Sequence, residues 1–152
     1  MILEPGALAP DFALRNQFGA TVRLSDFRGV KPVTLVFFPL AFSRTCQGEL
    51  CELRDNIGVF ADAGAELVAV SVDSKHVLRA WAEEQGYGFT LLADFWPHGE
   101  VARAYGAFLE ERGYANRATF VIDRDGVIRA SFATVPGEAR TLEQYREALE
   151  AG

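Results

Sequence analysis

The chain has 152 residues, 49% of them apolar with 12 Phe, which is the size of one ordinary domain with a substantial core. No uninterrupted apolar run reaches about 18 residues, so no membrane span is expected. The net charge of −6, with basic residues scattered among acidic ones, argues against a nucleic-acid surface.

The N-terminus, MILEPGALAPDF, lacks a charged n-region and a long apolar h-region, which argues against a secretory signal. Two cysteines make no disulfide framework, as suits a reducing compartment, and cytoplasmic residence is the expectation. Residues 12–14 and 21–24, separated by Gln17-Phe18-Gly19, predict a β-hairpin. Residues 33–38 form an apolar run bounded by prolines and too short for a helix, hence a buried strand. Leu50, Leu53, Ile57 and Phe60 recur at helical spacing, so 47–61 is predicted helical, with Gly64 ending it.

Residues 67–72 make another apolar strand, and Ser74 is placed to cap a helix over 77–85 that Gly86 terminates. A strand is expected at 89–92, a helix at 99–108, and a loop from there through Gly113. Strands at 119–122 and 127–132 flank Asp123-Arg124-Asp125-Gly126, a hairpin signal. Thr141 is placed to cap a last amphipathic helix ending at Leu149. Without repeats, linkers or low-complexity tracts, 1–152 reads as a single domain of class α/β, a mixed sandwich. The closing hairpin and helix favour a thioredoxin-like over a flavodoxin-like arrangement.

Chemistry concentrates where the strand 33–38 runs through Pro39 and Ser43 to Cys46. A thiol at a helix start meets unpaired N–H groups and the positive end of the dipole, which favours the nucleophilic thiolate. The competing account is a buried structural cysteine. Ser43, three residues before Cys46, can present its hydroxyl to the same pocket or simply cap the helix. Pro39 either shapes that loop or only ends the strand. His76 and His98 are not in metal-ligand spacing with the cysteines, and no Gly-rich phosphate loop precedes a helix, so neither metal nor cofactor is indicated.

The spacing Pro39, Ser43, Cys46 resembles the peroxiredoxin signature P-x-x-x-T/S-x-x-C, with Ser43 at the Thr/Ser position. FFPLAFSRTCQGEL, DFWPHG and NRATFVIDRDG are similar to the alkyl hydroperoxide reductase E branch, and the likeness runs from APDFAL to PGEAR. The resemblance implies a thioredoxin-like fold, a central mixed sheet flanked by helices, and a thiol-dependent peroxidase that uses no cofactor. It implies that Cys46 attacks hydrogen peroxide or an organic hydroperoxide, that Arg117 faces it, and that Glu49 orients arginines, with Arg140 as a second cation. It also implies a homodimer and a thiol reductant: thioredoxin, a glutaredoxin-like protein or a low-molecular-weight thiol.

Cys51 has the spacing of the resolving cysteine in Q-type peroxiredoxins. Five steps along an ideal helix set two Cα atoms about 8–9 Å apart and roughly 140° around the axis. A disulfide needs them within about 7 Å, so the bridge requires the first turns to unwind. Cys51 is therefore either that resolving thiol or an idle helix residue. A dithiol oxidoreductase fits poorly, since four residues rather than two separate the cysteines. A redox-sensing or interaction module without turnover is the other alternative.

Overall fold

The computed structural model describes residues 1–151. Strands β1 (Ala13–Asn16) and β2 (Thr21–Arg23) form the expected hairpin, with Leu14 opposite Val22. Asn16 shapes the turn by accepting from the N–H groups of Phe18 and Ala20. The buried Gln17 ties the hairpin to the body, its amide bridging Phe89 C=O and Leu91 N–H.

Strand β3 (Val33–Phe37) is buried along its length and lies parallel to β4 (Glu66–Ser71), which lies parallel to β5 (Thr90–Ala93). Two short strands, β6 (Phe108–Leu109) and β7 (Tyr114–Ala115), pair only with each other. Strands β8 (Arg117–Ile122) and β9 (Ile128–Thr134) are antiparallel neighbours, and β8 is antiparallel to β3. The seven-stranded mixed sheet has the order β2-β1-β5-β4-β3-β8-β9.

Strand side chains alternate between faces, which explains the two apolar layers. Leu35 and Phe37 of β3 join Val68, Val70, Phe120 and Tyr105 on one side. Val36 and Phe38 join Ala69, Leu50, Leu53, Trp81 and Tyr145 on the other. Helix α1 (Arg44–Asp55) buries Leu50 and Leu53 in that second layer, each contributing about 1.5–3 kcal/mol relative to exposure.

The single helix expected over 47–61 is two. It begins earlier, at Arg44, and breaks after Asp55. Asn56 leaves helical backbone angles (φ −123°, ψ 28°), and its side-chain amide donates to Glu52 C=O. A short α2 (Gly58–Asp62) follows, burying Phe60 while Ile57 turns out to 44% exposure. Helix α3 (Lys75–Gln85) behaves as expected, with Ser74 accepting from Val77 N–H and Gly86 left-handed at φ 72°.

The helix expected over 99–108 is also shorter. Helix α4 (Glu100–Ala104) stops because Gly106 turns left-handed at φ 73° and Ala107 N–H reaches back to Ala102 C=O. The expected loop through Gly113 is instead the β6–β7 hairpin. Helix α5 (Leu142–Ala151) follows Thr141, whose hydroxyl accepts from Gln144 N–H at 3.2 Å. Among the described residues no helix is long and apolar enough to cross a membrane.

Candidate active site

The parallel strands β3 and β4 end side by side, and the loops that follow them build the site. Phe38 N–H still pairs with Val70 C=O, after which the buried Pro39 ends the strand. Asp73, in the loop after β4, accepts from Ala41 N–H at 2.7 Å and from the Ser71 hydroxyl at 2.6 Å. Between these anchors Phe42 takes a left-handed backbone (φ 65°), which is rare for a bulky residue and costs about 1–3 kcal/mol. Its ring packs over Trp81, centroids 6.0 Å apart.

Ser43 holds the N-cap position of α1, but its hydroxyl does not cap the helix; it donates to Leu40 C=O at 2.8 Å. Its oxygen lone pairs stay available to accept a proton from elsewhere. Cys46 is the third helical residue, free and fully buried (0% exposed), packed in the layer that holds Val36, Phe38, Leu50 and Tyr145.

The interior beside α1 is not only apolar. Glu49, one turn after Cys46, accepts from Arg117 Nη1 at 2.9 Å, from Arg140 Nη2 at 2.6 Å and Nε at 2.9 Å, and from Arg140 N–H at 2.8 Å. Arg140 places its remaining Nη1 on Ala118 C=O and the Thr119 hydroxyl. Burial pushes the Glu49 carboxyl up, but the Arg140 hydrogen bonds and the charges of both arginines outweigh it and hold the carboxyl below its ordinary range. Burial opposes the Arg140 charge, whereas Tyr145, Glu49 and Cys46 favour it, and it is held above its ordinary value.

Arg117 opens β8 and is 2% exposed; the sequence expectation had it just before a strand. Its Nε donates to Pro136 C=O at 2.7 Å, while Nη2 makes no hydrogen bond among the described residues. Arg117 lines a cavity of about 200 Å³ with Pro39, Leu40, Ser43, Arg44, Thr45, Tyr114 and Pro136. Arg117 thus adjoins a space bounded by the residues that lead into Cys46.

The AhpC/TSA family pattern matches residues 5–131. Alkyl hydroperoxide reductase E of Mycobacterium tuberculosis is 49% identical over 150 residues, covering 99% of this chain and 98% of the relative. The chain belongs to the peroxiredoxin (AhpC/TSA) family. Two solved peroxiredoxin folds superpose on it. The reduced 2-Cys peroxiredoxin of Plasmodium vivax gives a TM-score of 0.86 at 25% identity, covering 97% of this chain and 81% of that one. Peroxidoxin BcpB of Mycobacterium tuberculosis gives 0.83 at 28%, covering 98% and 96%. The thioredoxin-like architecture read from the sequence is the peroxiredoxin fold seen here.

In this peroxiredoxin Cys51 is half-buried, its sulfur 3.4 Å from the Tyr87 hydroxyl and 3.5 Å from Gln85 Oε1. Helix α1 is unbroken from Arg44 to Asp55, so both cysteines sit on regular helix. Sequence reasoning missed Tyr114 and Pro136, which line the cavity with Leu40, while Phe37 and Phe38 are core residues and Phe42 and Phe95 are exposed. Asp73 was also missed, although loops after the carboxyl ends of parallel strands are where α/β folds build sites.

Proposed function

We propose that Cys46 is the peroxidatic thiolate of this thiol-dependent peroxidase. Its sulfur attacks one peroxide oxygen; the S–O bond forms, the O–O bond breaks, and the departing oxygen leaves as water or an alcohol after taking a proton. The product on the protein is Cys46 sulfenic acid. The observation that carries the reading is the buried charge balance beside α1: two guanidiniums against one carboxylate, leaving one positive charge that a thiolate would neutralise.

Arg117 serves through Nη2, whose free donors can follow the negative charge onto the departing oxygen. Ser43 accepts the peroxide hydrogen, since its own proton is committed to Leu40. Pro39 walls the cavity and keeps water from the sulfur, and Glu49 with Arg140 holds Arg117 in place. Reduction of the sulfenic acid falls to an external thiol, a thioredoxin, glutaredoxin-like protein or small thiol, or to Cys51 once the start of α1 unwinds into a disulfide-competent form.

A single domain over 1–152 belongs to the same reading, supported by one continuous sheet with an apolar layer on each face. So do a homodimer, supported by exposed Phe42, Phe95 and Trp96 (80% exposed), and a cytoplasmic setting, supported by two free thiols. A module without turnover is the weaker alternative, because it has no use for the paired arginines. With dithiothreitol as reductant, Cys46→Ser should abolish hydroperoxide consumption while Cys51→Ser retains it. Consumption persisting in Cys46→Ser would sink the assignment.

A further inference from the structure

The segment 98–116 forms a clasp beside the cavity, built from residues that the peroxide chemistry leaves unused. A hairpin of two residues per strand does not hold by its ladder alone. Phe108 pins its first strand: the ring lies so close to Gly99 (φ 69°) that a Cβ there would collide with it. The Arg103 guanidinium covers the ring at 4.1 Å, and His98 meets its plane nearly edge-on, with centroids 5.9 Å apart.

Arg103 also forks onto Glu110 at 2.7 and 3.1 Å and donates to His98 C=O at 2.7 Å. His98 Nε2 donates to Gly113 C=O at 2.7 Å, since a carbonyl can only accept. Asn116 N–H closes the far side on Ala107 C=O at 2.7 Å. Tyr114 lies between those last two anchors, directly after Gly113 and three residues before Arg117. It is half-buried and bounds the cavity together with Leu40 and Pro136, opposite in character to Ser43, Thr45 and Arg117.

Size decides what this wall is for. Hydrogen peroxide has two oxygens, and a water occupies about 30 Å³, so most of a cavity of about 200 Å³ is left over. Apolar side chains around the remainder suit the organic group of a hydroperoxide. We propose that Tyr114 is a specificity-determining wall for organic hydroperoxides, and that His98 is the positioning residue that holds it through Gly113. This rests on the peroxidase reading and adds to it which residues sort the substrates.

The test measures oxidation rate constants with hydrogen peroxide and with cumene hydroperoxide for wild type, Tyr114→Ala, Tyr114→Phe and His98→Ala. Loss of an apolar contact is worth about 10-fold or more in discrimination, so Tyr114→Ala should lower the cumene-to-hydrogen-peroxide ratio by about 10-fold. Its rate with hydrogen peroxide should fall by a smaller factor than its rate with cumene hydroperoxide, and Tyr114→Phe, which keeps the ring, should keep the wild-type ratio. His98→Ala should move the ratio the same way by a smaller factor, which a general loss of stability would not do. A ratio unchanged or raised in Tyr114→Ala overturns the specificity role, as does an equal fall with both peroxides. An unchanged ratio in His98→Ala overturns the positioning role. Failure of the peroxidase reading would show separately, as slow oxidation of the wild type by either peroxide.

Discussion

Glu49 accepts every hydrogen bond that joins the two buried arginines to α1, so the site depends on a residue that need not touch peroxide. Glu49→Gln would keep the shape but leave two guanidiniums facing a neutral amide in a dry interior. Breaking a buried pair in this way costs about 3–5 kcal/mol. The pH dependence follows from the carboxyl being held below its ordinary value of 4.5. Its stabilisation is complete above that range and is lost as pH falls through the folded-state value, because the unfolded chain then binds the proton more readily. Urea midpoints should therefore separate wild type from Glu49→Gln widely near neutrality, and the gap should narrow in acid. A gap that stays constant down to about pH 3 would contradict the sign.

Helix α1 carries Cys46, Glu49 and Cys51 on one regular segment, and its regularity constrains the oxidised state proposed for them. The Cys51 sulfur faces Tyr87 and Gln85, so a bridge to Cys46 must release both contacts as well as the helix hydrogen bonds. After one equivalent of peroxide under native conditions, intact mass should show a gain of one oxygen, with loss of two hydrogen atoms appearing only in mild denaturant. Immediate loss of two hydrogen atoms in the native chain would mean that the first turns open freely. The break after Asp55 was hidden from the sequence because Leu50, Leu53 and Phe60 keep helical spacing across it. Periodicity reports which face is buried and does not see a backbone turning at Asn56. The short α4 was misjudged for a related reason: Gly106 stops the helix, and Phe108 continues the apolar pattern from a strand.

At the scale of the whole molecule, sheet and site differ in how far local pattern reaches. Strands β3, β4 and β8 are largely apolar runs with clear turn signals, β9 follows its hairpin turn, and the two-sided core follows from their alternation. Pro39 and Ser43 lie in the loop after β3 and Cys46 in the first turn of the helix that follows, so their association was legible. Arg117 and Arg140 arrive from β8 and the segment before α5, brought to Glu49 across 68 and 91 residues, and only family resemblance singled them out. The wall at Tyr114 gave no signal, because its place depends on a hairpin that composition did not predict.

Buried Cys46 lies one helical turn from Glu49, whose two arginines leave an excess of one positive charge, and Arg117 lines the cavity. Trp81 donates to Gln47, the residue after Cys46, so its fluorescence should follow the chemistry. Stopped-flow fluorescence with hydrogen peroxide is the most direct measurement. The account predicts fast oxidation of the wild type, no signal from Cys46→Ser, and a slowing of about 10²–10³-fold in Arg117→Ala. An Arg117→Ala rate within about 2-fold of wild type, or a wild type no faster than a free thiol, would contradict it.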